Sequence, residues 1–230
     1  AYEVHEDSEV DAAFLAGELS GPIRDELTAM VSQMRRPLAI RSSSLLEDAS
    51  HQPFAGVYAT HMLANDHEEV EVRLARLEEA IKLVYASTYH KSSKSYVSAT
   101  PSNIEDERMA VVIQELVGRE VNGRYYPHIS GAARSRNHYP VAPLRAEDGI
   151  AAVCIGLGRQ VASGEKCLRF SPGQPKRIHQ FHSTASMLDT SQTSFWAIPM
   201  GASENPVSPD EAENLINLGL GEAETDGRLG

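Results

Sequence analysis

Between residues 67 and 90 the chain sets an apolar side chain at steps of four and three: Val70, Leu74, Leu77, Ile81 and Val84. On a helix of 3.6 residues per turn these five fall on one stripe, with Glu and Arg on the opposite face. A striped helix has to bury its apolar side against another layer, so the segment reads as a core helix; a partner-binding helix is the alternative. The neighbouring segments supply that layer. Residues 37–42 read as a strand, 54–63 ("FAGVYATHML") as another, and 109–117 ("MAVVIQELV") as a short β-branched strand. Two helical pieces, 8–19 and 23–35, come first, separated by Gly21-Pro22. Residues 92–103 are loop-like, Asn122-Gly123 predicts a hairpin turn, 147–163 a small-residue helix, "KCLRF" a strand and 209–218 a last helix. Strands and helices mix without strict alternation, which favours an α+β (mixed α/β) fold. No internal repeat or low-complexity tract is present.

Charge narrows the classes of partner. The 230 residues carry a formal net charge of -11, which argues against general affinity for nucleic acid or an anionic membrane. Any phosphate site on such a chain has to be a local basic pocket. No run of about 18 apolar residues exists, so no membrane span is expected. The acidic start, "AYEVHEDSEV", is unlike an ordinary secretory signal. Cys154 and Cys167 are too few for a disulfide framework and lack a metal-ligand spacing, which fits a reducing cytoplasm. The start without Met and the ending "TDGRLG" suggest a piece of a longer protein.

Three stretches could hold an anion. In "RSSSLLEDASHQPFAG", residues 41–56, a short strand runs straight into Arg41 and three serines. The guanidinium fork of Arg41 matches phosphate oxygens, and Ser42, Ser43 and Ser44 add donors. Alternatively, Arg41 pairs with Glu47 or Asp48 and the serines only make a turn. In "SGAARSRNHYP", residues 130–140, a strand would place Arg134 and Arg136 on one face, facing either phosphates or solvent. "GLGRQVASGE", residues 156–165, lacks the third glycine of a dinucleotide fingerprint and has no expected strand before it; a helix ending at Gly164 explains it nearly as well. His128, His138, His179 and His182 lack the spacing of a helix-borne zinc site and read as surface or packing residues. No G-x-S-x-G elbow and no G-x-x-x-x-G-K-[ST] loop is found.

Taken together, several segments resemble one family. "AIRSSSLLEDASHQPFAG", "FAGVYAT", "YAST", "MAVVIQELVG", "ISGAARSRNHYP" and "GLGRQVASGE" are similar, in order over residues 37–165, to the motifs of the ATP-grasp nucleotide-binding domain of the pyruvate phosphate dikinase and phosphoenolpyruvate synthase family. Residues 166–200 are less similar, and the two ends contribute little. The resemblance implies an incomplete ATP-grasp-like domain over 37–200 with two subdomains, a helical segment 1–36 before it and a segment 201–230 after it. It implies a phosphotransferase that uses Mg-ATP, bound between subdomains, to phosphorylate a histidine on a separate domain, en route to pyruvate and phosphoenolpyruvate interconversion. A different acceptor, such as an antibiotic or a glucan, is one alternative; a non-catalytic nucleotide-sensing or docking module is another.

The resemblance also assigns residues. Arg41 reaches the ATP phosphates as the catalytic cation, with Ser42 beside it. Thr60 contacts phosphate, and Gln114 with the backbone of Glu115, Leu116 and Val117 runs past the adenine. Arg136, with Asn137, belongs to a hairpin over the phosphates. Three positions depart from the family pattern: Pro53 replaces a serine, Arg134 an apolar residue, and Arg159 reverses a charge. The family's upstream lysine and downstream acidic, metal-holding strand are not found, so Mg²⁺ ligands are expected outside this chain and the isolated chain is expected to be inactive. Expected partners are ATP and the phosphohistidine and pyruvate-binding domains of the parent; a homodimer stays open.

Overall fold

A computed structural model describes residues 6–44, 56–98, 108–201 and 204–229. It is a mixed helix and sheet structure that divides into two compact units, Ala1–Leu116 with Ile198–Leu215, and Val117–Ala197 with Ile216–Gly230.

In the first unit, helices α1 (Asp7–Ala16) and α2 (Gly21–Gln33) precede strand β1 (Leu38–Ser44). Pro22 sits in the first turn of α2, where its missing N–H costs nothing. Strand β2 (Thr60–Leu63), helices α3 (Val70–Ser87) and α4 (Lys91–Ser98) and strand β3 (Met109–Glu115) follow. The strands form an antiparallel sheet in the order β2-β1-β3. The stripe expected on α3 is a core face. Leu74, Leu77, Ile81 and Val84 are buried with Leu38 and Ile40 of β1, Leu63 of β2, and Leu27 and Val31 of α2.

Two polar side chains fix how α2 feeds into β1. The Arg73 guanidinium, buried on α3, donates through Nη1 to the carbonyls of Val31 and Met34, both at 2.8 Å. Asn65 Nδ2 donates to the carbonyls of Met34 and Arg36, both at 3.0 Å. The carbonyls that the helix end leaves unpaired are thereby satisfied, and a cation stands at the negative end of α2.

In the second unit, β4 (Arg119–Val121) and β5 (Arg124–Tyr126) form the expected hairpin. Asn122 and Gly123 both take positive φ, 50° and 74°, as a two-residue type I′ turn requires. Strands β6 (Ser130–Arg134), β7 (Ile150–Cys154) and β8 (Leu168–Phe170) make a three-stranded antiparallel sheet. Short helices α5 (Arg159–Ala162) and α6 (Thr184–Thr190) and strand β9 (Ser194–Pro199) follow, then β10 (Ile216–Gly219) and α7 (Leu220–Thr225). A second sheet runs β10-β9-β5-β4, with Tyr126, Phe195, Ala197 and Ala223 buried at its core.

Five local expectations need correction. The strand expected over 54–63 begins only at Thr60 in its described part, after a turn at Gly56. Residues 91–98 are helical rather than loop, because Ser93 and Val97, four apart, are both buried and the Ser93 hydroxyl donates to the Ser87 carbonyl at 2.7 Å; 99–103 lie outside the described residues. Residues 147–163 split into a 3₁₀ turn, strand β7 and α5. The run "IAAVC" is a central strand hydrogen-bonded on both sides, so sheet pairing overrides the helix preference of its alanines. Residues 209–218 form a 3₁₀ turn, Glu211–Asn214, and then β10, which pairs with β9. Finally, a strand does precede the 156–165 glycines, and α5 closes at Ala162, with Gly164 just beyond its cap at φ 72°.

Candidate functional site

Strand alternation decides which expected residues meet. Along β1, Leu38, Ile40, Ser42 and Ser44 face the core and are buried, whereas Arg41 and Ser43 are exposed on the other face. Arg41 stands opposite Thr60 on β2 and Val112 on β3. Side chains directly opposite one another share a face with β-carbons about 5 Å apart. Gln114 stands opposite Ala39, two positions along, on that same face. The open face of the sheet therefore gathers Arg41, Ser43, Thr60 and Gln114. Ser42 lies on the buried face, so the hydroxyl beside Arg41 on the open face is that of Ser43.

The remaining expected residues are placed differently. Glu115 ends β3, and Leu116 extends the pairing by donating its N–H to the Pro37 carbonyl at 2.8 Å. Strand β3 is an edge of its sheet, so alternate backbone groups point away from β1. Val117 opens the second unit and is 81% exposed. Arg136 also belongs to the second unit. It lies beyond the end of β6, so it does not share a strand face with Arg134, and its Nη1 is 3.5 Å from Glu147 Oε1. Glu47, Asp48 and Pro53 lie outside the described residues, so the proposed alternative partners of Arg41 do too. Arg159, the charge reversal, lies over the Trp196 ring at 5.3 Å, whose indole N–H donates to Glu165 at 3.0 Å.

Two residues near the open face escaped the sequence reading. The Thr60 backbone N–H donates to Glu211 Oε1 at 2.8 Å, which fixes the start of β2. Glu211 is brought there from 151 positions along the chain by its 3₁₀ turn, whose Asp210 accepts from the Ala212 N–H at 2.9 Å; no local pattern signals this. His61, next to Thr60, faces Ile40 in the core and is 1% exposed. Neither ring nitrogen has a hydrogen-bond partner. Burial, with a lesser contribution from His90, pushes its pKa down to about 4, so it is neutral at pH 7. Among the described residues no three His, Cys, Asp or Glu side chains converge to hold a metal ion, and no helix is long and apolar enough to cross a membrane.

A cation, hydroxyls and an amide on one open sheet face, beside an edge strand, make a surface that can accept phosphate oxygens and a planar base. Comparison with known proteins agrees with this chemistry. The family model for the AMP/ATP-binding domain of pyruvate phosphate dikinase matches residues 3–225. The chain belongs to this family. As a member of the dikinase AMP/ATP-binding family, it is also similar to the Bacillus subtilis (strain 168) protein named uncharacterized phosphotransferase YvkC. The two are 30% identical over 168 residues, covering 70% of this chain and 18% of that protein. The match confirms the family read from the ordered motifs. The chain spans less than a fifth of the relative's length.

Proposed function

We propose that this dikinase-type domain binds Mg-ATP on the open face of the β2-β1-β3 sheet and serves a larger phosphotransferase. The observation that carries the reading is the register of Arg41 with Thr60, which puts a phosphate-matching fork and a hydroxyl side by side on that face. Arg41 is the cation that neutralises and orients phosphate oxygens, Thr60 and Ser43 donate to them, and Ser42 supports the strand from the core side. Gln114 and the backbone at Glu115 and Leu116 take the adenine edge; in the second unit, Val117 and Arg136 are assigned to the nucleotide by the family resemblance alone. Catalysis of this kind is mostly positioning plus charge stabilisation.

The helical segment 1–36 braces the nucleotide-binding part, 37–200, through the Arg73 and Asn65 contacts at the end of α2. The Mg²⁺ ligands are proposed to lie elsewhere in a parent protein. There, a histidine on a separate domain receives the phosphoryl group and passes it to pyruvate. The isolated chain is then inactive, and its setting is the cytoplasm. The name of the Bacillus relative supports phosphotransfer and specifies no acceptor.

Radiolabelled ATP incubated with the parent protein tests this reading. The account expects a protein-bound phosphoryl group that is labile in acid and stable in alkali, as on histidine, and that is lost in Arg41→Ala. Its absence from the unaltered parent, or an alkali-labile bond, would count against it.

A further inference from the structure

The second unit contains a cavity of about 390 Å³ that the nucleotide reading leaves unused. Small-molecule sites usually occupy roughly 300–1,000 Å³. Leu144, Ile150 and Phe170 give this cavity an apolar lining, and Arg169 and Arg177 line it as well.

Its walls are held by one side chain. Gln180 Oε1 accepts from the Arg169 N–H at 2.8 Å, and its Nε2 donates to the carbonyls of Cys167 at 3.0 Å and Thr190 at 2.9 Å. Residues from β8, the segment before it and the end of α6 are thereby tied together without any ligand.

The charges in the lining are unevenly satisfied. Lys166 Nζ is 3.8 Å from Asp189 Oδ1, and Glu165 accepts from the Trp196 indole. Among the described residues, neither Arg169 nor Arg177 forms an ion pair with a carboxylate. Two unmatched guanidinium groups at one cavity run against the charge of a chain at -11, where acidic partners are abundant.

We infer that this cavity binds a small organic anion, with Arg169 and Arg177 holding a carboxylate or phosphate and its planar or apolar body against Leu144, Ile150 and Phe170. A guanidinium fork recognises either oxyanion bidentately. The apolar lining sets this site apart from one for inorganic phosphate alone. The inference does not depend on the nucleotide reading, because none of the residues it uses is assigned to the nucleotide.

Amide NMR of the chain titrated with phenyl phosphate, benzoate and the uncharged benzyl alcohol tests it. At least one of the two anions is expected to give saturable shifts around residues 165–171, and the stronger one names the oxyanion. Benzyl alcohol is expected to bind about tenfold more weakly or worse, and Arg169→Gln and Arg177→Gln each to weaken the anion several-fold. Both arginines are exposed, and the amide spectrum of each variant reports whether its fold is kept. No saturable shift with either anion, or equal binding of benzyl alcohol, overturns the inference; both comparisons use the unaltered chain alone. Displacement of the probe by Mg-ATP that disappears in Arg41→Ala also overturns it, since the probe would then be reporting the nucleotide site.

Discussion

At the residue scale, the buried polar groups of the first unit show what the sequence conceals. His61 occupies a core position opposite Ile40 and carries no hydrogen-bond partner on either nitrogen. Its pKa is about 4 in the folded chain against an ordinary 6.5, so between those values the unfolded chain binds the proton more readily. Stability therefore falls as pH drops from 6.5 towards 4, by at most ~3 kcal/mol from this residue, and is unaffected by it above that window. Denaturant titrations across that range should show a shallower loss for His61→Leu than for the unaltered chain. Parallel losses in the two proteins would remove the assignment. The sequence gives no sign of this, since a histidine in "VYATHML" could face either side of a strand until the register is known.

At the scale of elements, legibility followed the strength of local chemistry. The α3 stripe was readable because five apolar residues at helical spacing admit few other uses, and four of them are fully in the core. The β4-β5 turn was readable because Asn-Gly is suited to two successive positive φ angles. Gly123 has open space where a β-carbon would stand, so Gly123→Ala meets only the backbone penalty of a left-handed conformation. It should destabilise the second unit by ~1–2 kcal/mol, visible as a lowered midpoint in thermal or denaturant unfolding. An unchanged midpoint would contradict the turn geometry. By contrast, "IAAVC" and "KSSKSYVS" do not carry their state in their own residues, because strand pairing and burial outside each segment set it. The first is clamped between β6 and β8, and the second is anchored by Ser93 and Val97 against the interior. Arg41, and Thr60 opposite it, were legible as candidates from their motifs, but the placement of the serines was not: the alternation of burial along β1 shows that Ser43, rather than Ser42, shares the face of Arg41.

At the scale of the molecule, family membership and sheet geometry meet on one claim. The dikinase AMP/ATP-binding match covers nearly the whole chain, and the exposed face of β2-β1-β3 gathers the phosphate-matching groups. Acidity overall and a basic spot locally are compatible, because a nucleotide bound as proposed would sample the few ångströms around Arg41 while the net charge is spread over the surface. Calorimetric titration of Mg-ATP into the chain and into Arg41→Ala tests the claim most directly. The account predicts measurable binding that Arg41→Ala weakens tenfold or more, a loss of ~1.4 kcal/mol. Equal heats from the two proteins would contradict it.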